Sequence, residues 1–399
     1  MSLPATPIVK INLTGGASTF GTPFVLGTSK LGEAELAGAI PNIVDVSTQV
    51  TRISTRRERN LLQDKFLSAS ATVRIVDPNG WWNPQNTASP YYPNLIPLRK
   101  IQIQANYGGT LYDIFSGYIT DYNYTFPKDQ EIGYVDLTCS DAFRLLFNSG
   151  VDVIPDAVAG EGTGTRIGKI LNAVKWNNSA RVIAAGNTTC QADPSGERTA
   201  LAAIQTLEFT EQGAFYIDKG GKAVFMSRQQ VFDSLSRTPT VFSNVSGSGA
   251  INYFNIVLAH DDKTLANQAV ITRLNGVAQT YTDFASVNAF FTRSISAPSL
   301  LMETDTEAAD LAYAYVQTRK DVSVRIDAIT LDLVTLGYGA GVTAALALDY
   351  FDRMQITNTA QTGVTLTKTL QCLGIAHDIT PNTWNTTFIT QEPILDVMY

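Results

Sequence analysis

Two segments near opposite ends of this chain open with the same short alternation, and this repeat constrains the fold more than any other feature. Residues 100–103 (KIQI) and 353–356 (RMQI) each combine a basic residue, an apolar residue, Gln and Ile with the period of a β-strand. Each is followed by a glycine, an aspartate four residues on and then a proline turn: Gly117, Asp121 and Pro127 in one copy, and Gly374, Asp378 and Pro381 in the other. We therefore expect two similar β units in one chain.

The alternation on either side of these segments predicts a mainly β chain with a small α+β insert. We expect two similar β-barrel-like domains, at 41–150 and 236–399, that flank a helix-and-hairpin module at 151–235. Residues 1–40 are rich in Gly, Thr and Ala and carry few charges, so we expect an extended N-terminal arm that a neighbour orders.

The middle of the chain changes from a strand period to a helical one. Two helices with one apolar face each are predicted, from Ile167, Ile170, Leu171 and Val174 and from Ala200, Leu201, Ile204 and Leu207. A hairpin is expected next, because residues 215–217 and 223–225 are apolar strands around the turn at 218–221.

Two further signals lie in the C-terminal part. Asn275–Gly276 between alternating residues predicts a two-residue hairpin turn. Thr304 and Glu307 have the spacing of a capping box, which predicts a helix at about 305–319 that interrupts the strands.

The charge pattern argues against nucleic-acid binding. Only 16% of the 399 residues are charged, and the net charge is −7. The single basic run, at 52–59, contains Glu58, so we expect a solvated turn or a subunit salt bridge there. Low charge with 44% hydrophobic residues instead suits a surface that partner subunits cover.

Other sequence classes are also disfavoured. Three widely spaced cysteines, Cys139, Cys190 and Cys372, fit neither a disulfide framework nor a zinc knuckle. No apolar stretch is long enough for a transmembrane helix, and the N-terminus lacks the pattern of a signal peptide, so folding in a reducing cytoplasm is expected.

Catalytic or metal chemistry has little support, so we expect no enzyme and no cofactor. Neither His260 nor His377 has neighbours with the spacing of metal ligands. We interpret His377 as a partly buried side chain on a strand, with its hydrogen bonds satisfied. The Gly-rich run at 160–165 precedes a helix but lacks the Lys-Ser/Thr pair of a phosphate loop. We interpret it as a flexible joint with Thr165 near the N-cap.

An aromatic loop at Trp81, Trp82, Tyr91 and Tyr92 has two interpretations. It could stack against sugars and bind a glycan. It could also be a packed loop that covers the end of the β-domain or a subunit interface, and we favour this second interpretation.

Three strings carry a resemblance to a known family. Residues 64–105, with 114–124 and 137–146, resemble the N-terminal β-domain of siphophage tail hub proteins, also called minor tail proteins. The closing string LQCLGIAHDITPNTWNTTFIT looks like the last strand pair of these hubs, and the two helices with FYIDKGGKAVF are similar to their insert. The chain departs from the family at 55–58, where the family often has a glycine. The signature positions are Trp81, Trp82, Pro84, Asn86, Gly117, Asp141, Gly374, His377, Pro381 and Trp384.

The resemblance implies a homotrimeric baseplate hub that closes the distal end of the tail tube, adapts a six-fold tube to a three-fold tip and forms the DNA exit channel. Related hubs lie at the base of contractile tails and of type VI secretion spikes. The implied partners are the distal tail protein ring, the C-terminus of the tape-measure protein and tail-tip or fibre proteins, with DNA passing without specific binding. No extra C-terminal host-recognition or lytic domain is expected. Two alternatives stay open: a receptor- or glycan-binding tail-tip protein, and a hexameric distal tail tube protein.

Overall fold

The computed structural model describes residues 3–14, 42–60, 65–125, 132–337, 339–360 and 363–393. Strands account for 42% of the structure and helices for 22%, so the predicted mainly β class is confirmed. The predicted turn at Pro127 lies outside the described residues.

The first part of the chain forms one set of paired strands. Their bounds are β1 (Thr6–Asn12), β2 (Ile43–Asp45), β3 (Val50–Asn60), β4 (Lys65–Phe66), β5 (Ser70–Asp77), β6 (Lys100–Tyr107), β7 (Thr110–Thr125) and β8 (Gly133–Ser140). Seven of them are hydrogen-bonded in the order β2-β1-β6-β7-β8-β5-β3. Alternate apolar residues such as Val73, Ile75 and Ile103 are fully buried, as the period-two pattern requires.

A module of short elements follows. Its members are α1 (Phe143–Asn148), β9 (Gly150–Val151), β10 (Glu161–Gly162), α2 (Thr163–Ala173), β11 (Arg181–Ile183), β12 (Thr189–Cys190), β13 (Arg198–Thr199), α3 (Ala200–Glu211), β14 (Ala214–Ile217), β15 (Ala223–Met226) and α4 (Arg228–Asp233). The two predicted helices and the predicted hairpin are α2, α3 and β14–β15. Thr165 lies near the start of α2, as predicted: Gly162 is the N-cap, and Thr165 is the third residue of the helix.

The last part contains the second set of strands and a smaller sheet. The elements are β16 (Thr240–Ser243), β17 (Ile251–Asn252), β18 (Asn255–Ala259), β19 (Gln268–Arg273), β20 (Gln279–Thr282), α5 (Phe284–Phe290), β21 (Ser294–Leu300), α6 (Asp305–Gln317), β22 (Arg325–Asp332), α7 (Leu333–Leu336), α8 (Ala340–Ala347), β23 (Arg353–Thr359), β24 (Thr365–Ile379) and β25 (Trp384–Gln391). The capping box of Thr304 and Glu307 begins α6, as predicted. The predicted hairpin at 275–276 exists, but its last strand pair is Ile271 with Gln279, so the loop is longer than two residues.

The two sets share one topology. The second set has the order β17-β16-β23-β24-β25-β22-β18, so each strand occupies the place of the strand with the same rank in the first set. They differ at one strand: β1 runs antiparallel to β6 and β2, whereas β16 runs parallel to β23 and β17. The two expected look-alike β units therefore share the same strand order.

The register of the repeat corrects the sequence alignment. Gln102 lies opposite Ser116, and Gln355 lies opposite Thr369, so these positions are equivalent. A β-bulge follows four residues later in both long strands, at Thr120 in β7 and at Leu373 in β24. Gly117 is therefore equivalent to Leu370 and not to Gly374, and the matching Gly-x-x-x-Asp spacing of the two copies is coincidental.

The strand sets join to each other instead of closing. Among the described strands no closed barrel is found, which corrects the barrel-like expectation. The outer edge of β3 pairs with β24, so both sets belong to one fifteen-stranded sheet. An edge that pairs with the other set cannot also close its own.

The N-terminal segment also differs from the expected arm. Residues 6–12 form β1 and pair along their whole length with β6. Val9, Ile11 and Leu13 are buried in the main core, which explains why this stretch is ordered within its own chain. The remainder of the predicted arm, from residue 15 on, lies outside the described residues.

Candidate functional site

The junction between the two strand sets is the feature that the fold singles out. Residues 53–58 of β3 pair antiparallel with 374–379 of β24. At Gly374 the strands approach so closely that a Cβ atom would lie 2.9 Å from Cβ of Glu58 and 2.8 Å from Cδ1 of Ile389. Glycine at this signature position is therefore explained by close packing.

Arg57 holds the junction together. This residue of β3 is only 3% exposed, and it donates to Oδ1 of Asp349 at 3.1 Å and to the carbonyl of Ile217 at 3.3 Å. Its guanidinium also lies 4.6 Å from the ring centre of Tyr350. Burial alone would lower the pKa of Arg57, but Asp349 and Tyr350 raise it, so the side chain stays charged. One cation thus links the first set, the hairpin of the middle module and the segment before β23.

His377 lies on β24 within the same junction, opposite Thr55 of β3. Its Nδ1 atom accepts a hydrogen bond from Nε1 of Trp384 at 3.3 Å and lies 2.9 Å from Oγ1 of Thr386. Burial, followed by the nearby Lys219 and Arg57, lowers the pKa of His377 to about 3. His377 is therefore a neutral, buried and hydrogen-bonded residue, as predicted for a structural histidine.

His377 should make the stability of the protein depend on pH. The pKa of His377 in the folded state lies below its unfolded value of about 6.5. The stability that the neutral side chain contributes is therefore present above pH 6.5 and is lost as the pH falls towards 3. Between pH 6.5 and 4.5 the wild-type chain should lose about 2–3 kcal/mol relative to His377→Gln, measured by urea unfolding at both pH values. Asp141 also titrates, but it is present in both proteins, so its contribution to the stability cancels in the comparison. Equal pH slopes for both proteins would show that His377 takes up a proton in the folded state.

The aromatic loop at 78–99 is built on one carboxylate. Asp77, at the end of β5, accepts from the backbone N–H groups of Trp81 at 2.8 Å and Trp82 at 2.9 Å. Asn86 donates to the carbonyl of Gly80, and Pro84 lies at the exposed side of the same turn. Trp82 packs in the main core, which agrees with the favoured interpretation of a packed loop, while Trp81 stays 37% exposed at its rim.

The remaining signature residues have roles in packing, hydrogen bonding and turns. A Cβ atom on Gly117 would lie 2.4 Å from the carbonyl oxygen of Ser140. Asp141 is buried and accepts from the N–H groups of Ala69 and Phe143 and from Ser68 Oγ, while burial raises its pKa to about 6. Pro381 lies in the turn that joins β24 to β25.

The structure brings only some of the predicted residues together. Gly374, His377, Pro381 and Trp384 share the β24–β25 hairpin, whereas the aromatic loop and Asp141 belong to the first set. His260 lies just after β18. The hydrogen-bond partners of His377 are Thr386 and Trp384, and His260 is not among them. Within the described ranges, no group of three His, Cys, Asp or Glu residues could hold a metal ion.

Sequence reasoning missed Arg57, the central residue of the junction. The run of neighbouring arginines suggested a solvated turn or a subunit salt bridge. The usable signal was the alternation Ile53, Thr55, Arg57, which places the arginine on the buried face of β3.

Comparison with known proteins supports the fold. No protein-family model and no curated protein matches the chain. A tail protein from Neisseria meningitidis MC58 has 12% identity and a TM-score of 0.56, covering 86% of this chain and 93% of that one. The 43 kDa tail protein of prophage MuSo2 from Shewanella oneidensis has 12% identity and a TM-score of 0.55, covering 88% and 96%.

A third similar structure is a chain of the lidded Francisella PdpA–VgrG complex. It has 10% identity and a TM-score of 0.51, and the match covers 98% of this chain and 53% of that one. The chain therefore has the fold of these tail proteins, which confirms the resemblance at the level of fold. Among the described helices, none has the length and apolar character needed to cross a membrane.

Proposed function

We propose that this chain is a structural virion protein, a homotrimeric tail-tip hub that closes the distal end of a phage tail tube. The observation that carries the proposal is the pair of strand sets with one topology, joined edge to edge by β3 and β24. A chain that presents two equivalent units in line can form a closed ring with twice as many units as chains.

The proposed ring solves a symmetry mismatch. Three chains supply six similar units, so one face can match a hexameric distal tail ring while the other keeps three-fold symmetry for tail-tip or fibre proteins. The same ring would surround the DNA exit channel and hold the C-terminus of the tape-measure protein until ejection. A net charge of −7 per chain suits a channel that does not retain DNA phosphates. The proposal includes no catalytic step, no cofactor and assembly in the host cytoplasm.

The two other candidate functions have less support. A glycan platform gains from several exposed aromatic rings, but only Trp81 and Tyr92 of the loop are exposed, whereas Trp82 and Tyr91 are buried in the main core. A hexameric tube protein needs one unit per chain, whereas this chain contains two sets of equal topology.

Native mass spectrometry of the purified full-length chain tests the proposal. We expect an assembly of three 43.2 kDa chains that forms at micromolar concentration. A hexamer, or a monomer that persists at every concentration examined, would count against the hub.

A further inference from the structure

One short helix in the second half of the chain, α5, exposes three phenylalanines, and the internal junction between β3 and β24 indicates what covers them. We infer that α5 docks on the next chain of the proposed ring, where its phenylalanines pack on the end of the 78–99 loop around Leu98. This inference rests on the proposed function and assigns a contact between neighbouring chains.

The helix α5 turns its polar side inward and its apolar side outward. Phe284 is 74% exposed, Phe290 is 37% exposed and Phe291, the residue after the helix, is 87% exposed. Within α5 only Ser286 is buried, and its Oγ atom donates to the carbonyl of Lys320 at 2.6 Å. A surface helix normally buries its apolar side, and a group of exposed apolar side chains marks an interaction site.

The backbone at the end of α5 is held so that it displays Phe291. This residue has φ 60° and ψ 172°, a conformation that glycine adopts readily and phenylalanine rarely. The fully buried Asn267 donates from Nδ2 to the carbonyl of Phe291 at 2.8 Å, and its Oδ1 accepts from the N–H of Arg293 at 2.7 Å. A buried side chain thus fixes a strained turn whose aromatic ring lies in solvent, as is typical of a binding contact.

The position of α5 in the fold points to a second copy as its partner. The helix belongs to the connection between β18 and β22, residues 260–324, and Arg325 of β22 holds the start of this connection by binding Asp261 at 2.8 Å. β18 is the strand of the second set that lies farthest along the sheet from the internal junction. In a ring of chains with their strand sets in line, this end faces the first set of the next chain.

The internal junction supplies the template for the contact. The corresponding connection of the first set, between β3 and β5, carries Phe66 on β4. Phe66 is only 3% exposed, and its ring centre lies 4.6 Å from that of Tyr350 and 5.8 Å from that of Phe351. Both partners lie in the segment before β23 of the second set. An aromatic ring from one set therefore packs on the segment that leads into the third strand pair of the other set.

Leu98 is the counterpart of Phe351 in the first set. The two residues have φ of 66° and 65°. The N–H of Leu98 donates to the carbonyl of Ile119 on β7 at 2.7 Å, as the N–H of Phe351 donates to the carbonyl of Cys372 on β24 at 2.8 Å. Phe351 is 2% exposed beneath Phe66, whereas Leu98 is 48% exposed. The contact that would cover Leu98 in the same way has to come from the next chain.

Other side chains of the 78–99 loop enlarge this target. Ile96 is 48% exposed, Tyr92 46% and Trp81 37%. Both sides of the inferred contact are therefore aromatic and aliphatic, as in the core of a stable subunit interface. The exposed part of the aromatic loop then belongs to a subunit interface, while its buried part packs within its own chain.

A double-mutant cycle on the full-length chain tests the contact. Phe291→Ser and Leu98→Ser should each raise the dissociation constant of the trimer by about tenfold, because each removes an apolar anchor. The double variant should raise it by about as much as the stronger single variant, since both changes remove the same contact. Analytical ultracentrifugation gives the dissociation constants, and urea unfolding checks that each variant is folded.

The matched control is Phe147→Ser. Phe147 is 61% exposed on α1 of the middle module, and the inferred contact does not include it. This variant should leave the dissociation constant within about twofold of the wild-type value. Trimers that Phe291→Ser does not weaken, or single effects that multiply in the double variant, would overturn the contact and leave the hub standing. Absence of any wild-type trimer would instead reject the hub, and the contact with it.

Discussion

Replacing Arg57 with Met should lower the free energy of unfolding by about 2–3 kcal/mol, because it leaves Asp349, whose side chain is only 27% exposed, without its cation. The variant would lose the bonds to Asp349 and Ile217 and the contact with Tyr350, and these are the links between the three parts of the chain. Chemical denaturation followed by tryptophan fluorescence measures the change.

The control is Arg52→Met on the same strand. Arg52 also pairs with an aspartate, Asp378 at 3.3 Å, but both side chains are about half exposed. Such surface pairs contribute about 0–1 kcal/mol. If both variants lose similar stability, burial of Arg57 is not what holds the junction together.

The second large effect concerns assembly. Val257→Lys should raise the dissociation constant of the proposed ring by at least tenfold, since it places a charge and a long side chain on an exposed apolar strand edge that the ring should cover. Its folding stability should change by less than about 0.5 kcal/mol because Val257 is exposed in the single chain. Analytical ultracentrifugation of the full chain gives the first quantity, and urea unfolding gives the second.

Val182→Lys provides the comparison for assembly. Val182 is an exposed valine on another edge strand, β11 of the middle module, far in sequence from β18 and β7. It should leave the ring intact. Equal weakening by both lysines would indicate a general charge effect and would contradict a role of the β18 edge in the ring.

Local features of this fold were predictable from the sequence. The helix α6 follows from the capping pair Thr304 and Glu307 and an apolar face, and the β14–β15 hairpin follows from its turn residues. The repeat was visible because the segments 100–103 and 353–356 begin equivalent strands. These signals depend on residues close in sequence, where period and turn chemistry act directly.

Long-range pairing was not predictable in the same way. The β3–β24 contact joins residues about three hundred positions apart, and neither strand carries a mark of its partner. The glycine alignment failed for a related reason: each β-bulge shifts the register after it, and a bulge leaves no fixed sequence pattern. In the aromatic loop, Trp82 and Tyr91 are buried whereas Trp81 and Tyr92 are exposed, and the sequence did not show which rings would pack.

Imaging of an intact tail tip that contains this chain is the most direct test of the proposed hub. A cryo-EM reconstruction should contain three copies in one ring, with six β units at one radius around the channel. Six copies of the chain around the axis, or a ring in which the two strand sets lie at different radii, would contradict the account.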